Sequence, residues 1–180
     1  MEHLTCADTA KLVRRSLKEA FPGVKFSVRS RVYSGGASID VRWTDGPTEK
    51  AVEAIAGKFS SATFDGMRDL KEYHISELAG RLVSFGVDFI FFSRKVSLGP
   101  TQNALDSLWI EYASDVKGIE KPTLTEKEWG VHFSGDPMIL HEFVTTLIHR
   151  RLCDVTIGEY PGTSELADQV KLPQGEVSHV

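Results

Sequence analysis

Hydrophobic positions set a helical period at the start of the chain. Leu12, Val13, Leu17, Ala20 and Phe21 recur at close to 3.6-residue spacing across residues 5–21, and Pro22-Gly23 supplies the stop. Lys11, Arg14, Arg15 and Lys18 then share the exposed side. From Val24 the period changes to two: Val24, Phe26 and Val28 alternate with Lys25, Ser27 and Arg29, as along a half-buried strand. Ser34-Gly35-Gly36 is a turn signal, after which Ile39, Val41 and Trp43 alternate with Asp40 and Arg42. The pattern predicts a β-hairpin.

Thr44-Asp45-Gly46-Pro47-Thr48 ends the hairpin, and Val52, Ile55, Ala56 and Phe59 predict a helix from about 47 to 59, capped by Asp45 or Thr48. Residues 60–76 are polar and read as irregular, with Phe64 and Met67 as inward anchors. Leu82 to Ser93 carries Val83, Phe85, Val87 and the run Phe89 to Phe92, which predicts one central strand covered on both faces. A helix is expected over Thr101–Asp115, on Leu105, Leu108, Trp109 and Tyr112, with Gly118 as its stop. A loop follows over Lys117–Thr125. Thr125-Glu126-Lys127-Glu128 matches a capping box ahead of a strand-like Trp129–Phe133. Asp136-Pro137 opens a helix to about Leu152 on Ile139, Leu140, Phe143, Val144, Leu147 and Ile148, and Val155–Ile157 reads as a last strand.

The expected fold is α+β: an α-β-β-α-β unit with a β-hairpin over residues 1–97, then a helix-rich α/β extension over 98–159, packed as one compact domain. Residues 160–180, with Pro161, Gly162, Pro173 and Gly175 among polar side chains, read as a flexible tail. Hydrophobic residues at 41% and charged residues at 26% of 180 support a packed core and exclude a wholly disordered chain. No apolar run approaches the ~20 residues of a membrane helix. Residues 1–21 lack the basic-then-apolar pattern of a leader, so a cytoplasmic protein is expected.

Charge sharpens the picture. Residues 1–44 hold eight basic and four acidic side chains, while residues 45–180 hold thirteen basic and twenty-one acidic. Asymmetry of this kind marks either a nucleic-acid contact at one end or two solvated faces of opposite sign. Catalytic motifs are missing. His141-Glu142 fails as HExxH because Thr145 stands at the second histidine position, and His141 and His149 have no third ligand spaced to join them. No phosphate-cradling GxxxxGK[ST] or GxGxxG and no GxSxG is present. Cys6 and Cys153 lack a CxxC partner and read as reduced structural thiols. Cys153 follows His149 by four residues but also follows an apolar stripe. Asp65, Asp69 and Glu72 read as a solvated acidic loop. No enzyme activity and no cofactor are therefore expected. The better lead is the hairpin, whose outer face would carry Lys25, Ser27, Arg29 and Arg31 beside Arg42, with Tyr33 at the tip and Asp40 in the same register. With Tyr33 as its aromatic, that face does not read as an RNA-binding platform of stacked rings.

Six short stretches, in three groups, carry a family resemblance. They are Ala10 to Arg14 with Glu19 to Ser30, then Tyr33 to Ile39 with Trp43 to Thr48, and finally Phe64-Asp65-Gly66-Met67 with Phe85 to Phe91. Over roughly residues 5–97 the chain resembles the large polyvalent protein associated domains, and among them type twenty-nine. The resemblance implies a setting in phages, plasmids and conjugative elements, where some such proteins enter the recipient cell with the DNA and blunt host defence. It carries over no catalytic residue. The expected function is a non-enzymatic counter-defence protein that binds a host defence protein or protein–nucleic acid complex stoichiometrically, as an anti-CRISPR or anti-restriction inhibitor would. The acidic part of the chain would match a basic channel. The alternative is a nucleic-acid-binding accessory protein using Lys25, Arg29, Arg31, Tyr33 and Arg42. An enzyme would need a polar cluster assembled only by folding.

Overall fold

A computed structural model describes residues 1–65 and 70–172, and the side chains outside 63–72. The class is α+β, and the residues fall into two compact units, each with its own core. The first holds Met1–Trp43, Glu49–Ser93 and the segment beginning at Tyr160; the second holds Thr44–Thr48 and Arg94–Glu159.

In the first unit, β1 (Glu2–His3) leads into α1 (Cys6–Ala20), where the Thr5 hydroxyl accepts the Asp8 N–H at 3.1 Å as an N-cap. Cys6, Ala10, Val13, Leu17 and Ala20 recur at alternating spacings of four and three, so one stripe of α1 is buried. It packs with Val28, Ile39, Val41 and Trp43 of the hairpin formed by β2 (Ser27–Tyr33) and β3 (Gly36–Thr44). The strands pair antiparallel from Ser27↔Arg42 to Tyr33↔Gly36, leaving Ser34-Gly35 as the link, with Gly35 at φ 103° where a side chain is disfavoured. β2 starts at Ser27, so Lys25 lies in the connection before it. Next come α2 (Glu49–Ala56) and the 3₁₀ turn Gly57–Phe59, which bury the expected Val52, Ile55, Ala56 and Phe59.

Two expectations change in the middle of this unit. Instead of irregular chain, β4 (Ala62–Asp65) and β5 (Leu70–Tyr73) form an antiparallel pair, followed by β6 (Ser76–Leu78) and β7 (Arg81–Ser84), also antiparallel. Met67 and Asp69 lie outside the described residues, as do the side chains of Phe64, Asp65 and Glu72. The single strand expected over 82–93 is broken at 85–88. There Phe85 and Val87 are both buried, and Gly86 lies against the backbone of Leu4 to Cys6; a Cβ on Gly86 would stand 2.3 Å from the Leu4 carbonyl oxygen. β1 runs parallel to β7 beside this point, and Leu4 N–H donates to the Ser84 carbonyl at 3.0 Å. Asp88 then turns the chain onto β3: its N–H donates to the Ala37 carbonyl at 2.9 Å and its carboxylate accepts the Ala37 N–H at 3.0 Å. The strand that follows, β8 (Phe89–Lys95), completes a sheet of order β2-β3-β8. It is not covered on both faces, because Ile90 and Phe92 join the core whereas Phe91 is 55% exposed.

The second unit is built on α3 (Leu98–Glu111), whose Leu105 and Leu108 are buried, and the chain stops turning at Gly118. Three of the capping-box residues, Thr125 to Lys127, instead lie in β9 (Leu124–Lys127), paired antiparallel with β10 (Gly130–Phe133), and Glu128 falls in the turn. The polar pattern of Thr125 to Lys127 suits an exposed strand as well as a helix start, and pairing across Glu128-Trp129 decides between them. The helix expected from Asp136-Pro137 begins later. β11 (Met138–Ile139) and β12 (Glu142–Phe143) make a small hairpin, with Leu140 and His141 at φ 50° and 69° in its turn, before α4 (Val144–Cys153). Asp136 still serves that helix, its carboxylate accepting the Thr145 N–H at 2.9 Å. No strand forms at Val155–Ile157, where Ile157 N–H donates to the Gly46 carbonyl at 2.8 Å. Leu105, Leu108, Val116, Ile139, Val144 and Ile148 form the core. The Arg94 guanidinium ties the unit together by donating to the carbonyls of Asp45, Gly46 and Leu152 at 3.0–3.1 Å.

The described part of the expected tail, 160–172, is ordered structure of the first unit. It forms α5 (Glu165–Asp168) and β13 (Val170–Lys171), and β13 pairs antiparallel with β6 to complete a sheet of order β1-β7-β6-β13. Leu166, Ala167 and Val170 are buried and Tyr160 meets Phe21 edge-on at 5.9 Å. Three apolar residues are too few to show a period, so the polar composition hid the packing. Residues 173–180 lie outside the described residues.

Glu19 of α1 anchors this segment. Its carboxylate accepts from the Ser164 hydroxyl at 2.8 Å, the Leu166 N–H at 3.3 Å and Arg15 Nε at 3.1 Å. These bonds, the Ser164 hydroxyl foremost, hold the Glu19 carboxyl below the usual carboxylate range. Its stabilisation is therefore complete above the unfolded-state pKa of about 4.3 and is lost as pH falls through the lower folded-state value. Glu19→Gln is expected to cost about 1 kcal/mol at pH 7 and to flatten the acid limb of a denaturant-measured stability profile. Gly86→Ala is expected to cost about 1–3 kcal/mol in the same assay, because the methyl group meets backbone rather than a movable side chain.

Candidate nucleic-acid interface

Alternation assigns the two faces of the β2-β3-β8 sheet. Val28, Ile39, Val41, Trp43, Ile90 and Phe92 pack in or against the core. Arg29, Arg31 and Tyr33 of β2, Asp40 and Arg42 of β3, and Phe89 and Phe91 of β8 therefore point to the opposite face. Of the five residues singled out from sequence, the structure brings Arg29, Arg31, Tyr33 and Arg42 onto this one surface, all exposed. Lys25 is exposed in the connection before β2, outside the strand register.

Phe89 and Phe91 are the additions that sequence reasoning missed. Their rings lie 6.3 Å apart, inclined at 35°; Phe89 is half-buried and Phe91 is 55% exposed. Tyr33, at the hairpin tip, is 50% exposed. Because Asp88 bonds to Ala37, β8 starts beside that tip, so the rings and the arginines share one patch. In a run of uninterrupted apolar residues, no polar neighbour marks which rings face outward.

Asp40 sets the electrostatics. Its carboxylate lies 3.5 Å from Arg31 Nε and 3.8 Å from an Arg42 terminal nitrogen, and its side chain is 19% exposed against 65% and 62% for the arginines. Both contacts are long and neither is bidentate, so they orient the two guanidinium groups while leaving most of each exposed. The face keeps three arginines against one carboxylate. Helix α1 adds less charge than its sequence suggests. Lys11 pairs with Asp8 and Arg15 with Glu19, while Arg14 donates to the Val28 carbonyl on the outer edge of β2.

The remaining candidates stay apart. His141 sits in the β11–β12 turn, exposed, and His149 is exposed on α4. Among the described residues no group of three or more His, Cys, Asp or Glu is placed to hold a metal ion. Cys6 is buried, which pushes its thiol pKa up and keeps it protonated, 3.6 Å from the Ser38 carbonyl. Cys153, expected as a structural thiol, is exposed instead, because α4 ends there and its thiol turns back to the Arg150 carbonyl at 3.2 Å. Among the described residues no helix is long and apolar enough to cross a membrane.

The residues that build this α+β unit also match a known family. The chain belongs to the large polyvalent protein associated domain 29 family, whose model matches residues 4–97. That family is associated with the polyvalent proteins of mobile elements and phages. No curated protein and no solved structure matches the chain. Every residue of the arginine and aromatic face lies within the matched span.

Asp40→Asn is expected to change folding stability by no more than about 0.5 kcal/mol, as for a long, mostly solvated ion pair, when measured by denaturant unfolding at pH 7.

Proposed function

We propose that this protein is a nucleic-acid-binding accessory protein of a mobile element, acting by binding and without catalysis through the exposed face of the β2-β3-β8 sheet. The observation that carries the reading is the placement of Arg29, Arg31 and Arg42 on the same face as exposed Tyr33 and Phe91. Guanidinium groups supply contacts to phosphates, and the rings supply contacts to bases. The chemistry is non-covalent and depends on the arginines as charges, so it is sensitive to salt.

A second reading has its own support. The family's association with mobile elements and phages, together with the acidic balance of residues 45–180, fits a counter-defence protein that binds a host defence complex stoichiometrically in the manner of an anti-CRISPR or anti-restriction inhibitor. In that case the arginine face is dispensable, and acidic residues of the second half carry the contact.

One titration separates the two. Fluorescence anisotropy with labelled oligonucleotides, single-stranded and duplex, is expected to show binding that weakens with salt. Arg31→Glu combined with Arg42→Glu is expected to weaken it at least tenfold at 0.1 M salt and to reduce the log–log salt slope by about 1.4 on a single strand. Absence of any oligonucleotide binding, with inhibition of a purified CRISPR or restriction complex that survives the double substitution, would establish the second reading instead.

A further inference from the structure

We infer that the sheet face takes single-stranded nucleic acid, with bases stacked on Phe91 and Tyr33 and phosphates held by Arg29, Arg31 and Arg42. This rests on the nucleic-acid reading above and names its ligand. Arginines alone would serve a duplex as well as a single strand, since both present phosphates. The rings decide between them. A duplex keeps its base faces stacked inside the helix, out of reach of rings on a sheet surface. Phe91 at 55% and Tyr33 at 50% exposure offer ring surface to the outside of the sheet, and such rings are matched by bases already out of the stack.

Phe89 is half-buried beside Phe91, their rings 6.3 Å apart, so Phe91 is the exposed platform of the pair. Asp40 fixes where the charges sit. Held at 3.5 and 3.8 Å, Arg42 lies two residues along β3 from Asp40 and Arg31 stands opposite Ser38 on β2, so the cationic groups lie on either side of one carboxylate and a backbone running along the strands meets them in succession. With three arginines the electrostatic contribution stays small, about three phosphates, and stacking supplies the remainder.

The test uses the full chain and four labelled probes: a twenty-nucleotide oligothymidylate, the matching oligouridylate, and a DNA and an RNA duplex of twenty base pairs. At least one single strand is expected to bind ten or more times tighter than either duplex, with a log–log salt slope near −2. Comparison of the two single strands tells DNA from RNA. Phe91→Ala is expected to weaken single-strand binding about tenfold while leaving the residual duplex affinity and the salt slope unchanged, and Phe91→Tyr to retain it. Far-ultraviolet circular dichroism checks that Phe91→Ala folds; should it not, Tyr33→Ala at the exposed hairpin tip carries the same test. Equal affinity for single strands and duplexes, or indifference to both ring truncations, would overturn the inference and leave a face that binds phosphates only. Failure of all four probes to bind would remove the nucleic-acid reading itself.

Discussion

The course of the chain between Ser84 and Phe89 is the constraint on which the first unit depends. Phe85 and Val87 are buried on successive odd positions, and between them Gly86 lies so close to the backbone of Leu4 to Cys6 that any side chain there would strike it. Residues of β-propensity that would otherwise continue one long strand are thereby stopped, and Asp88 redirects the chain by a reciprocal pair of bonds to Ala37. One consequence is that β7 stays with β1 and β6 in one sheet while β8 joins the hairpin in another. A second is the side of the sheet to which each phenylalanine of β8 is turned. Gly36 is a further mark of this junction, since a Cβ there would meet the Asp88 carboxylate at 2.1 Å.

From that junction the chemistry of the exposed face follows. Ile90 and Phe92 go to the core beneath α1, so Phe89 and Phe91 are left on the face that the hairpin fills with Arg29, Arg31 and Arg42. One carboxylate among three guanidinium groups gives order without neutrality. Pairs at 3.5 and 3.8 Å with largely exposed arginines are weak enough to exchange a carboxylate for a phosphate. On α1, Lys11 and Arg15 pair along the helix, and Arg14 satisfies a carbonyl on the open edge of β2. Of the basic residues in 1–44, Lys11, Arg14 and Arg15 thus serve the helix and its packing, and Arg29, Arg31 and Arg42 furnish the face.

Much of this was legible in the residues. The α1 stripe, the hairpin with its Ser34-Gly35 link, and α2 with Phe59 at its end all follow from periods of 3.6 and two, because each element buries one face only. The arginine register followed from the same alternation. What stayed hidden has physical causes. The run Phe89 to Phe92 is apolar on both faces, so polarity could not reveal that one face is exposed. Residues 138–143 place Ile139, Leu140 and Phe143 at helical spacing, yet Leu140 and His141 adopt positive φ and close a hairpin instead. Leu166, Ala167 and Val170 are too few to announce a helix and a strand, and their place is fixed by contacts with α1 and β6 that are distant in sequence.

The most direct test of the face is photochemical. A single-stranded oligonucleotide carrying a photoreactive pyrimidine, irradiated with the protein and followed by peptide mass spectrometry, reports which side chains touch bases. Adducts are expected on Tyr33 or within residues 89–91. Adducts confined to residues 98–159 would contradict base contact at this face, because the bases would then lie against a part of the chain that carries none of it.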